Sequence, residues 1–88
     1  MQGYLLEVWE YHSDAKEYEL VHKSKYRSYW VGKLAFDKAV ERETDKYAGA
    51  NREDYTREVS IDESDCGGSA TALGVDEEWK VYLRKVTA

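Results

Sequence analysis

The spacing of apolar side chains changes along the chain, and each change marks an element. In residues 4–12, Tyr4, Leu6 and Val8 alternate with Leu5, Trp9 and Tyr11, interrupted by Glu7 and Glu10. A period of two sends successive side chains to opposite faces, so this segment predicts a strand with one well-buried face and a second face that is still aromatic. Ser13, Asp14, Ala15 and Lys16 supply turn-forming side chains, after which Tyr18, Leu20 and His22 alternate with Glu17, Glu19, Val21 and Lys23. The two segments read as a hairpin.

Beyond Ser24 the period lengthens. Ser24 or Ser28 can cap a helix by accepting a hydrogen bond from an early backbone N–H, and the helix is expected to run to about Tyr47, with Gly49 as its stop. At ~100° per residue, Tyr29, Phe36, Val40 and Tyr47 fall on one line with Gly32 and Ala39 beside it, whereas Trp30 and Leu34 lie roughly 100–140° away. The line is a core stripe. The two outliers are apolar residues that the core does not claim.

Alternation resumes in residues 55–61, where Tyr55, Arg57, Val59 and Ile61 oppose Thr56, Glu58 and Ser60, predicting a third strand. Residues 62–69 are polar and glycine-rich, so a long loop is expected up to Glu78, with at most a short extended piece at 70–75. Trp79, Val81 and Leu83 then alternate with Lys80, Tyr82 and Arg84; this favours a closing strand, although Trp79, Leu83 and Val86 also suit a short helix. The expected architecture is a single α+β domain over residues 1–88. It has β-β-α-β-β order, an antiparallel sheet of about four strands and one helix on one face. Its expected core is Leu6, Val8, Phe36, Val40, Val59, Val81 and Leu83, and strand order stays open. A single helix covers one side only, so the other face must be solvated or meet another protein.

Composition narrows the function. The 88 residues, 42% hydrophobic and 35% charged with no proline, suit one folded domain but leave little room for a deep cavity, which argues against a small-molecule substrate. One cysteine allows no intrachain disulfide, so a cytoplasmic home is expected. The N-terminal residues lack a basic start followed by an apolar run, and nowhere do about 18 apolar residues follow one another, so neither export nor membrane insertion is expected.

Catalytic chemistry finds little support. Cys66-Gly67-Gly68-Ser69 places a thiol in a glycine turn, but the acidic surroundings disfavour the thiolate. His12, His22 and Cys66 lie at spacings unrelated to a zinc site, and the run from Asp62 to Asp65 lacks the glycine and the distal glutamate of a calcium loop. Gly67-Gly68 lacks the Lys-Ser/Thr of a phosphate loop, and the carboxylates cluster in polar sequence rather than in an apolar pocket. No enzyme, metal or cofactor is therefore expected.

Two binding readings remain. Charge is segregated: Lys23, Lys25, Arg27 and Lys33 occur without an intervening acid, and Glu58, Asp62, Glu63, Asp65, Asp76, Glu77 and Glu78 without an intervening base, in a chain of net charge −5. Eight tyrosines and three tryptophans exceed what a small core requires, and such side chains dominate interface hot spots. The first reading is a binding or inhibitor protein that occludes a host-protein surface. It uses Trp30, Leu34 and Tyr26, with Asp62, Glu63, Asp65, Asp76, Glu77 and Glu78 as a negative recognition surface toward a nucleic-acid-binding partner; a homodimer through the apolar residues belongs to the same reading. The alternative is a nucleic-acid-binding accessory protein in which Lys23, Lys25, Arg27 and Lys33 meet phosphates while Tyr26, Tyr29 and Trp30 offer planes to bases. A short, acidic, proline-free and aromatic-rich chain resembles in character the small phage-encoded inhibitors, including anti-CRISPR and other DNA-mimicking proteins. That resemblance is one of composition and assigns no residue.

Overall fold

The first and last strands lie side by side at the centre of the sheet. The structure, a computed structural model, describes residues 2–64 and 67–87. Five strands, β1 (Gln2–His12), β2 (Glu17–Tyr26), β3 (Glu58–Ser64), β4 (Gly67–Leu73) and β5 (Trp79–Thr87), form one sheet of order β2-β1-β5-β4-β3 with every neighbouring pair antiparallel. Helix α1 (Tyr29–Ala48) lies across one face, over β1, β5 and β4. The class is α+β as expected, but the order is β-β-α-β-β-β and the strands number five.

The helix forms where the sequence predicts it. Ser28 is the cap, with extended backbone and a side chain that accepts from the Trp30 N–H at 3.2 Å, and Gly49 closes the other end at φ +55°, a conformation that costs glycine nothing. Tyr29, Gly32, Phe36, Ala39 and Val40 are buried as the stripe requires. Gly32 lets the helix approach closely, because a Cβ there would sit 3.0 Å from Leu83 Cδ1. A 3-10 segment, Gly49–Asp54, then leads toward β3; its Arg52 pairs with Glu41 and Asp45 of the helix, and Arg57, just before β3, donates to Thr44 Oγ1 at 2.7 Å and Glu41 Oε1 at 2.9 Å.

The covered face of the sheet is built from cross-strand rows. Leu6 pairs with Leu83 and Val8 with Val81 across β1 and β5, and Leu83 and Val81 pair in turn with Ala70 and Ala72 of β4. Phe36, Leu6, Leu83, Val81 and Trp79 are all at most 1% exposed, so the core sits between this face and α1. Burial of each such side chain stabilises the fold by roughly 1.5–3 kcal/mol.

Three expectations are corrected here. Residues 67–73, expected as part of a loop, form β4, because a strand flanked by β3 and β5 gains its ladder hydrogen bonds whatever its propensity, and its small residues Ala70 and Ala72 fit beneath the helix. Val59, expected in the core, is 46% exposed, as is Ile61 at 47%: both point to the helix side, but edge strand β3 lies outside the helix's footprint. Tyr55 precedes β3 rather than opening it, and its hydroxyl accepts from the buried Trp79 Nε1 at 2.9 Å.

Candidate functional site

Three features stand apart from ordinary packing. The first is a ridge on α1. Trp30, Val31 and Leu34 are 63%, 52% and 64% exposed, one helical turn that looks away from the sheet because the stripe turns Tyr29, Phe36 and Val40 inward. Beside it, Tyr26 and His22 of β2 face Val31 and Leu34 across a groove of about 410 Å³. On the other flank the Trp30 ring meets Tyr29 edge-on at 5.1 Å, and the Tyr29 hydroxyl donates to Glu63 Oε1 at 2.7 Å. Burial and the Glu63 carboxylate raise the Tyr29 hydroxyl well above the usual phenol range.

The second feature is the face of the sheet opposite α1. The register places Lys25, Leu5 and Arg84 in one row across β2, β1 and β5, then Lys23, Glu7 and Tyr82, then Leu20, Trp9 and Lys80. Tyr18 and Tyr11 pair beyond them with ring centroids 5.1 Å apart, and Lys80 Nζ lies 4.4 Å from the centroid of Tyr18. Glu7, Trp9, Tyr18, Lys80, Tyr82 and Arg84 line a depression of about 420 Å³. In these rows four cations surround a single acid, Glu7, which meets Arg84 at 3.4 Å.

The third feature is a pair of buried carboxyls beneath the helix. Glu10 and Glu43 are 7% and 5% exposed, and Lys46 Nζ bridges both Glu10 oxygens at 2.9 and 2.8 Å. Burial, the hydrogen bond with Glu10 and that neighbour's charge push the Glu43 carboxyl up to about 7, and its Oε2 has no hydrogen-bond partner. For Glu10 burial acts in the same upward direction, but the hydrogen bonds from Lys46 and Glu43 hold it below the ordinary carboxyl range. The proton is therefore held on Glu43 and the charge on Glu10.

The predicted site residues are distributed over several of these places. Trp30, Leu34 and Tyr26 come together at the ridge and groove, with Glu63 behind Trp30. Asp62 points to the opposite face of β3, Asp76 and Glu77 occupy the tight turn before β5, and Glu78 follows them with its Oε2 3.5 Å from the Tyr55 hydroxyl. Asp65 and Cys66 lie outside the described residues. The basic segment is divided too: Lys23 and Lys25 join the open face, Arg27 is exposed in the turn before α1, and Lys33 pairs with Asp37 at 2.9 Å.

Sequence reasoning anticipated an uncovered, aromatic face opposite the helix but not the cations that join it there, and it missed the carboxyl pair. The pair left a signal: Glu10 continues the buried series Tyr4, Leu6 and Val8, and Glu43 lies seven residues after Phe36 on the core stripe. Among the described residues no group of three or more His, Cys, Asp or Glu side chains could hold a metal ion, and no helix is long and apolar enough to cross a membrane. Comparison with protein-family models, with curated proteins and with solved structures found no match, so function is argued from these surfaces alone.

Proposed function

We propose that this chain is a non-catalytic binding protein that inhibits or masks a partner protein by seating the α1 ridge in an apolar groove on that partner. The observation that carries this reading is the run of Trp30, Val31 and Leu34, each more than half exposed on one turn of a well-anchored helix. Helix-in-groove interfaces use apolar anchors spaced three and four residues apart, as Val31 and Trp30 are from Leu34, and tryptophan is among the residues most enriched at interface hot spots. Asp37 and Glu41 flank the ridge on one side and Lys38 and Arg42 on the other, a polar rim that fixes register more than it adds affinity. Glu63, held by Tyr29 behind Trp30, adds negative charge on the flank nearest β3 and favours a partner whose groove is basic there.

Affinity purification of the tagged chain from its native host, run in parallel with a Trp30→Ser/Leu34→Ser variant, tests this reading. A protein retained by the parent and lost by the variant, with the variant melting within about 1 kcal/mol of the parent, is the expected result. Identical retention by both would overturn it. So would a homodimer that the double substitution dissociates, because the ridge would then be covered by a second copy.

A further inference from the structure

The face of the sheet turned away from α1 is chemically unlike the ridge, and it carries an inference independent of the proposed partner. Trp9 and Tyr82 are diagonal neighbours on β1 and β5, so their Cβ atoms lie roughly 7–8 Å apart. Tyr18 extends this aromatic series toward the edge, under the Lys80 ammonium. Lys23 and Lys25 stand on β2, to one side of the aromatic centre, and Lys80 and Arg84 flank Tyr82 along β5 itself. Both β2 lysines are exposed, and neither forms an ion pair among the described residues. We infer that this open face binds a single-stranded nucleic acid, with bases stacked on Trp9 and Tyr82 and phosphates met by Lys23, Lys25, Lys80 and Arg84.

The chemistry selects this ligand over others. Aromatic planes interleaved with cations on one sheet face match a chain that alternates flat bases with negative phosphates, whereas a duplex turns its base faces inward where these rings cannot reach them. The net charge of −5 does not oppose this locally: the one acid within these rows, Glu7, is 13% exposed and is met by Arg84 at 3.4 Å. The acids of α1, Asp37, Glu41, Glu43 and Asp45, lie in the other layer, on the order of 10 Å behind the sheet, which is about one Debye length at 0.1 M salt. Glu58 and Asp62 share the open face but sit on β3, two strands beyond β5.

Fluorescence anisotropy with short labelled oligo(dT), oligo(rU) and a duplex of mixed sequence tests the assignment. The expected result is binding of the single strands in preference to the duplex, weakening as salt rises. Lys23→Glu/Lys25→Glu should flatten the salt dependence by roughly 0.7 in logarithmic slope for each phosphate that is no longer neutralised. Trp9→Ala and Tyr82→Ala should each weaken binding by about tenfold. Because the lysine pair is exposed, its variant remains informative even if Trp9→Ala fails to fold. Trp30→Ser/Leu34→Ser should bind the oligonucleotides like the parent, which separates this surface from the ridge. Absence of binding at low salt, preference for the duplex, or an affinity unchanged by both the lysine and the aromatic substitutions would overturn the inference.

Discussion

The two faces of this sheet are made from the same strands, yet they solve different problems. On the helix side, Leu6, Val8, Val81 and Leu83 are at most 2% exposed; on the other side Trp9, Tyr18 and Tyr82 are half-buried among lysines and an arginine. A face that only stabilises should be dry and aliphatic, since aliphatic side chains pack densely and carry no polar atom to satisfy. A face built from large rings under mobile cations retains stacking and charge that folding does not use up. Stability therefore belongs mainly to one face, with Leu5 the buried aliphatic exception on the other, and the proposed recognition to the open face; because the side-chain period is two, each strand presents residues to both.

The largest effect that can break this division is a core truncation. Phe36→Ala or Leu83→Ala should cost about 3–5 and 2–5 kcal/mol respectively, a large share of the stability of any domain of this size. Tyr82→Ala on the open face should cost no more than about 1–2 kcal/mol, because its ring is already partly solvated. Urea unfolding of the three variants measures the contrast. Equal losses would mean that the open face is a second core and not a recognition surface.

The covered face has one polar exception, and it makes stability depend on pH. Folded, Glu43 keeps its proton to about pH 7, whereas an unfolded chain releases it near the ordinary carboxyl value of 4.5. The folded state thus binds more protons across that window, so stability falls as pH rises from about 4.5 to 7, by roughly 1–3 kcal/mol. Glu10 is lowered and acts in the opposite sense: its contribution, made with Lys46, is present above 4.5 and is lost as acid protonates it below that value. Glu43→Gln replaces the held proton by an amide donor. It should raise the melting temperature at pH 8 and remove the fall between pH 5 and 8, as thermal melts across that range would show. A variant that melts lower than the parent at pH 8 would show that the ionised pair is tolerated.

How much of this was legible follows from which interactions are local. The β1–β2 hairpin, the helix with its Ser28 and Gly49 ends, and β5 are written in periodicity and capping residues, and all three are found where the pattern places them. β4 was legible only as a short extended piece at 70–75, because Gly67-Gly68-Ser69-Ala70 has little intrinsic preference for a strand; neighbours on both sides supply it. Val59 misled for the complementary reason, since its pattern is that of a buried strand but nothing lies above it. Trp30 and Leu34 were recognisable as leftovers of the helix stripe. The aromatic character of the open face was legible in the alternation of β1, but its cation set was not, because Lys80 and Arg84 meet Trp9, Lys23 and Lys25 only once β5 lies beside β1, a pairing between chain ends that no local pattern encodes.

The smallest effect concerns the turn that leads from β4 into β5 and so sets where the two faces begin. Asp76 and Glu77 both have left-handed backbone, at φ +53° and +57°, which for residues other than glycine or asparagine costs on the order of 1 kcal/mol each. The turn holds them there because Gly74 N–H donates to the Trp79 carbonyl at 3.0 Å and Glu77 N–H to the Gly74 carbonyl at 3.0 Å. Gly74 itself cannot change, since a Cβ at that position would lie 2.3 Å from Trp79 Nε1. Aspartate tolerates this conformation better than glutamate, so Glu77 is the more strained of the two. Glu77→Gly keeps the carbonyl that accepts from the Tyr18 hydroxyl at 2.7 Å, and thus leaves the open face anchored. Relief of the strain, less the added freedom of the unfolded chain, should give a net gain of about 0.5 kcal/mol, a rise of a few degrees in melting temperature. Oligonucleotide affinity should not move. If Glu77→Gly instead lowers the melting temperature and weakens binding together, the turn side chain helps to order Tyr18, and the division between a stabilising and a recognising face does not extend to this end of the sheet.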